Sequence, residues 1–236
     1  GGGRVSRVLV VLGTRPEAVK LAPVVAALRR RGRRVLVAST GQHRALLDGA
    51  LAAFGLRPDA DLRLMRPGQG HSDLTARILK GLTPLLGRWR PTLTLVQGDT
   101  TTAAAAAVAS FQAGVPVGHV EAGLRSHDAS DPFPEEGNRV LADHLSVLRF
   151  APTPAALANL RREGLGGRWS AVTGNTAVDA VRWAAARAPR RAAGCVLATL
   201  HRRESFGAPL DGMLGALRRL AARRADARVV FVVHPN

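Results

Sequence analysis

Between Val120 and Arg139 the chain reads Val-Glu-Ala-Gly-Leu-Arg-Ser-His-Asp-Ala-Ser-Asp-Pro-Phe-Pro-Glu-Glu-Gly-Asn-Arg, so carboxylates, arginines and a histidine follow an apolar run. Such a stretch is poor core material and suits a site. Upstream, Val96-Gln97-Gly98-Asp99-Thr100 closes another apolar run on an acid, and downstream Leu200-His201-Arg202-Arg203-Glu204 closes a third on a histidine. Asp99, Glu121 and Glu135 thus stand on successive strand-end segments, whose loops converge on one cleft when the strands share a parallel sheet. Carboxylates gathered together repel, which raises the pKa of at least one and makes acid and base work possible near neutral pH. Each also has a plainer reading: Asp99 as a helix cap, Glu135 and Glu136 as first-turn acids favoured by the helix dipole.

Gly13-Thr14-Arg15-Pro16-Glu17 follows the first apolar run and opens a helix, with Pro16 in the first turn, where its missing N–H costs nothing. That helix start, with Arg15 before it and Lys20 one turn in, can hold a phosphate or diphosphate. His201 could bind or protonate an anionic leaving group. Ser126-His127-Asp128 has the composition of a hydrolase triad, but triad members meet in space rather than along the chain. The seven histidines show no ligand spacing, and the Walker and Gly-x-Gly-x-x-Gly patterns are missing, so neither a metal nor a nicotinamide cofactor is expected.

These residues need a frame that brings strand ends together. Short apolar runs alternate with amphipathic stretches, the pattern of βαβ units and a parallel sheet. Strands are predicted at Arg7–Leu12, Arg34–Ser39, Thr92–Val96, Val115–Val120, Val147–Ala151, Val196–Leu200 and Arg228–Val233. Helices are predicted at Pro16–Arg31, His43–Phe54, Ser72–Trp89, Thr101–Ala113, Pro134–Leu145, Pro154–Glu163, Ala177–Ala186 and Pro209–Arg224. The chain reads as a doubly wound α/β protein. A first domain is expected over residues 1–174. Residues 175–236 would hold a crossover and the first part of a second domain, too short a piece to cover both faces of its own sheet. The segment from Arg187 to Gly194 has the composition of a linker.

Composition narrows the function classes. The 236 residues are 46% hydrophobic, with no apolar run near the ~20 residues that span a bilayer. Val8–Leu12 is too short for a signal peptide, so the cytoplasm is the expected compartment, with no membrane partner. The single Cys195 has no disulfide or metal partner of its own kind. A formal charge of +17 invites a nucleic-acid partner. Against this, the arginines fall at helix ends and turns, only Lys20 and Lys80 are lysines, and tyrosine is absent, leaving few aromatic rings for base stacking.

Taken together, Gly13-Thr-Arg-Pro-Glu-Ala-Val-Lys20, Gly41-Gln-His43, Gln97-Gly-Asp-Thr-Thr-Thr102, His119-Val-Glu-Ala-Gly-Leu-Arg125, Pro134-Glu-Glu-Gly-Asn-Arg139, Thr173-Gly-Asn-Thr176, His201-Arg-Arg-Glu-Ser-Phe206 and His234-Pro-Asn236 carry a resemblance. The chain resembles the non-hydrolysing UDP-N-acetylglucosamine 2-epimerases. The resemblance implies a GT-B-like pair of Rossmann-type domains, the second incomplete here, with a UDP-sugar bound between them and a homodimer as the assembly. It implies inversion at C2 without a cofactor, by elimination of UDP to a bound 2-acetamidoglucal and re-addition. Asp99, Glu121 and Glu135 become the acid/base set. Arg15, Lys20 and His201 would hold or stabilise the departing UDP, with Arg125 and Arg139 as further substrate-binding residues. The nearest rival is a GT-B glycosyltransferase, which would leave the C2 proton in place; a basic nucleic-acid-binding module is the rival from another class.

Overall fold

The computed structural model describes residues 7–41, 44–66, 68–188, 195–200, 207–224 and 228–232. It divides into two compact units, Gly1–Ala186 and Arg187–Asn236. In the first unit β1 (Arg7–Leu12), β2 (Arg34–Ser39), β3 (Ala60–Asp61), β4 (Leu93–Gln97), β5 (Val117–Val120), β6 (Leu148–Ala151) and β7 (Ser170–Val172) form one sheet. Its strand order is β3-β2-β1-β4-β5-β6-β7, parallel throughout, with the order reversing beside β1. In such a sheet the crevice at the carboxyl ends of the strands, next to the reversal, is where ligands bind.

The helices are α1 (Arg15–Arg30), α2 (Arg44–Ala53), α3 (His71–Trp89), α4 (Thr101–Gln112), α5 (Glu135–Leu145), α6 (Pro154–Arg162) and α7 (Thr176–Ala185). Strand β1 is buried on both sides, which is why it is apolar without alternation. Val8, Val10 and Leu12 pack with Leu21 and Val25 of α1 and Leu47 and Leu51 of α2. Leu9 and Val11 face the other way, onto Ile78 and Leu82 of α3 and the alanines of α4. Ala103 to Ala107 are all buried, and their small side chains let α4 lie close to the sheet.

The predicted elements appear within a residue or two, except that β3 and β7 were not predicted. Both are edge strands, of two and three residues, and neither buries an apolar run that a sequence pattern could reveal. The contact boundary after Ala186 leaves α7, which packs on α1, with the first unit. In the second unit β8 (Cys195–Thr199), α8 (Ala208–Arg223) and β9 (Arg228–Val232) form one parallel βαβ unit. Leu197 in β8 is 67% exposed, and α8 has no buried residue.

Gly13 shows how tightly the strand ends are joined. An added Cβ there would stand 2.2 Å from Thr40 Oγ1 and 2.4 Å from Thr102 Oγ1. Those two buried hydroxyls are 3.0 Å apart and bond to each other. Gly13→Ala is therefore expected to cost about 1–3 kcal/mol through overpacking. Chemical denaturation reads the loss directly, and a change below about 0.5 kcal/mol, the scale of an ordinary surface substitution, would contradict the fit described.

Candidate active site

Glu121 immediately follows β5 and takes a backbone conformation uncommon for its type, with φ 70°. The N–H groups of Glu121 and Ala122 both point to the Phe150 carbonyl, at 3.0 and 3.1 Å, as the chain turns out of the sheet. The side chain is then aimed at three donors. Lys20 Nζ lies 2.6 Å and Gln97 Nε2 2.5 Å from Oε2, while Asn175 Nδ2 lies 2.9 Å from Oε1. One cation and two amides, from α1, β4 and the start of α7, thus converge on one carboxylate.

Asp99 stands next to this cluster. Gly98, with φ 70°, lets the chain pass so close to Glu121 that a Cβ at position 98 would be 3.7 Å from Glu121 Oε2. The cap of α4 is Thr100, whose hydroxyl accepts from Ala103 N at 3.0 Å. Asp99 is therefore free of the capping role and instead pairs with Arg139. Asn138 Nδ2 holds the Asp99 carbonyl at 3.0 Å. Glu135 opens α5 one turn before Arg139, so the helix periodicity puts it on the face that meets the Asp99 loop. The described contacts of Glu121 and Asp99 are with cations and amides rather than with each other.

Two expectations need correction. Arg125, expected among the substrate-binding residues, has a side chain only 1% exposed. Its Nη1 bonds Asp143 Oδ2 at 2.7 Å, and Nε and Nη2 grip Glu163 at 2.7 and 2.6 Å, so its donors point into the protein. The turn before α1 is also not an open anion cradle. Glu17, buried at 1% exposure, accepts from Gly13 N at 2.9 Å, Thr14 N at 2.7 Å and the Thr14 hydroxyl at 2.8 Å through Oε2, and from the Thr100 hydroxyl at 2.7 Å through Oε1. Burial pushes the Glu17 carboxyl above its ordinary range, against the pull of those four hydrogen bonds. Arg15, in that same turn, is exposed.

Lys20 is ion-paired to Glu121, and Arg139 to Asp99 and to Glu136 at 3.2 Å. The Glu136 carboxylate also ties down the loop that precedes α5, accepting from Ser126 N at 3.0 Å and His127 N at 3.1 Å. Ser126 donates to the Asp128 carbonyl, not to His127, so these three residues form no triad. His201 and the segments Gln42–His43 and His234–Asn236 lie outside the described residues. Gln97 and Asn175 were not singled out by residue type; their only signal was membership of the motifs Gln97-Gly-Asp and Thr173-Gly-Asn-Thr176. The arrangement sets carboxylates, which can accept and donate protons, beside cations, which can meet an anion.

A family model described as UDP-N-acetylglucosamine 2-epimerase matches residues 26–236. The UDP-N-acetylglucosamine 2-epimerase of Salmonella typhimurium is 44% identical, over 98% of this chain and 66% of its own length. Among solved structures, the UDP-GlcNAc 2-epimerase of Neisseria meningitidis bound to UDP-GlcNAc superposes with a TM-score of 0.85 at 36% identity, over 98% of this chain and 66% of that one. The Methanocaldococcus jannaschii UDP-GlcNAc 2-epimerase in complex with UDP-GlcNAc and UDP gives 0.79 at 32% identity, over 97% and 66%. The chain thus spans about two-thirds of the length of each, 66% in all three cases.

Proposed function

The chain belongs to the UDP-N-acetylglucosamine 2-epimerase family, and from that membership we propose that the protein of full family length interconverts UDP-GlcNAc and UDP-ManNAc. The observation that carries the proposal is the meeting of Glu121, with its three donors, and the Gly98–Asp99 segment at the carboxyl edge of the sheet. The relatives from Neisseria and Methanocaldococcus were solved with UDP-GlcNAc bound.

The chemistry accounts for the residue types. No carbonyl lies next to C2 of a 2-acetamido sugar, so its hydrogen is not acidic enough for simple removal and return. If a carboxylate takes the C2 proton while the C1–O bond breaks, the electron pair of the C2–H bond forms the C1–C2 double bond and the bond to oxygen leaves with UDP. The products are a bound 2-acetamidoglucal and UDP. Re-addition reverses both steps, with the proton delivered to the opposite face of C2. Two proton-handling groups and a cationic partner for the diphosphate are required, and Asp99, Glu121 and Glu135 with Arg15, Lys20 and His201 supply those types. In this reading Arg139 is the partner of Asp99, and Lys20 exchanges its contact with Glu121 for the departing diphosphate.

The test is incubation of the full-length protein with UDP-GlcNAc in D2O, followed by proton NMR. Loss of the sugar H2 signal together with new UDP-ManNAc resonances is the expected result. An intact H2 signal in a folded, full-length protein would overturn the proposal and favour a glycosyltransferase.

A further inference from the structure

Beneath the site lies a buried polar cluster that the proposed chemistry does not touch. His119 of β5 is fully buried, with Nδ1 2.7 Å from Asp143 Oδ1 and Nε2 2.7 Å from the Gly98 carbonyl oxygen. A carbonyl oxygen can only accept, so Nε2 carries a proton. Asp143 also receives Arg125 Nη1 at 2.7 Å and Gly123 N at 3.0 Å on its other oxygen, the donor set of an ionised carboxylate, so Nδ1 carries a proton as well.

We infer that His119 is a doubly protonated positioning residue whose Nε2–H clamps the Gly98 carbonyl and thereby sets where Asp99 stands relative to Glu121. The charges permit it: His119 and Arg125 oppose Asp143 and Glu163 in one connected network, so the buried imidazolium has its counter-charge. The leverage is local. Gly98 N donates to the Val120 carbonyl at 3.0 Å and its own carbonyl takes the histidine proton, so both sides of this left-handed residue are pinned. Release of the carbonyl frees the peptide plane that joins Gly98 to Asp99, and with it the carboxylate.

The inference rests on Asp99 belonging to the reacting set, and its test has one arm independent of that reading. In the 236-residue protein with 15N-labelled histidine, His119 is expected to show two protonated ring nitrogens with slowly exchanging protons at neutral pH. A single protonated nitrogen overturns the inference whatever reaction the protein performs. The second arm uses the full-length enzyme. The amide of His119→Gln stands where Nε2 stood and keeps the donor to Gly98; that of His119→Asn stands where Nδ1 stood and loses it. Solvent exchange at C2 is expected to fall about 100-fold in kcat for His119→Asn, with KM little changed, the scale of a misplaced reacting group. His119→Gln should recover most of that rate. Equal losses in the two variants, in step with their melting temperatures, would reduce His119 to a packing role. Absence of exchange in the unaltered enzyme would sink the proposed function, leaving the ring-proton result to decide the protonation state alone.

Discussion

Replacing Glu121 by Gln in the full-length protein is expected to lower C2 proton exchange by at least about 100-fold, the scale for a lost acid or base. The contacts of Glu121 make the variant informative beyond a loss of rate. Its carboxylate accepts from Lys20, Gln97 and Asn175, and an amide has one accepting atom where the carboxylate had two. The new NH2 group would face either the Lys20–Gln97 side or the Asn175 side, donor against donor. Asn175 cannot turn to help, because its Oδ1 already accepts from Ala177 N at 2.9 Å. A stability loss of about 1–3 kcal/mol should therefore accompany the loss of turnover. Chemical denaturation and single-turnover kinetics measure the two separately. Near-normal exchange in a folded Glu121→Gln protein would remove Glu121 from the reacting set.

Arg125→Met is expected to be the most destabilising single change, by about 3–5 kcal/mol, since it strips one cation from a buried ionic network. Asp143, fully buried, would keep only His119 and one backbone N–H, and Glu163 would lose both of its arginine contacts. Burial alone would push the Asp143 carboxyl up, but His119 and Arg125 outweigh it, and the net direction is down. The Arg125 hydrogen bonds likewise bring Glu163 down.

A carboxyl whose folded pKa lies below its unfolded value contributes stability above the unfolded value, about 4 for these groups, and loses it as pH falls through the folded one. Glu17 has the opposite sign: its stabilising share is complete below the unfolded value and fades as pH rises towards the raised folded one. Wild-type protein should thus lose stability on acidification below about pH 4, and Arg125→Met should lose less, having already forfeited that share. Parallel pH profiles for the two proteins would contradict the network.

Much of this was legible from residue order. Asp99 and Glu121 were singled out because an acid at the end of an apolar run is costly in a core and useful at a strand end, and Glu135 because it stands in the next segment along, where it opens α5. Their partners were not, because Gln97 and Asn175 reach Glu121 only once distant strands lie side by side. Arg125 was misread for a related reason. A charged residue in a charged stretch suggests water, and nothing local shows that Asp143 and Glu163, eighteen and thirty-eight residues on, close over it. The turn before α1 misled in the same way, since a first-turn Glu marks a helix start without showing that its carboxylate will curl back and consume the amides it follows.

Asn175, the N-cap of α7, ties the start of that helix to Glu121, and α7 itself lies on α1, while its Trp183 ring sits tilted with its centroid 4.6 Å from that of Phe54, just after α2. This settles where the protein can be dissected. A fragment ending at Gly174 would lack one of the three hydrogen-bond donors to its principal carboxylate and uncover the flank of α1. A fragment ending at Ala186 would carry Asp99, Glu121, Glu135 and all their described partners, so ligand contributions of the first unit could be weighed apart from those of the second.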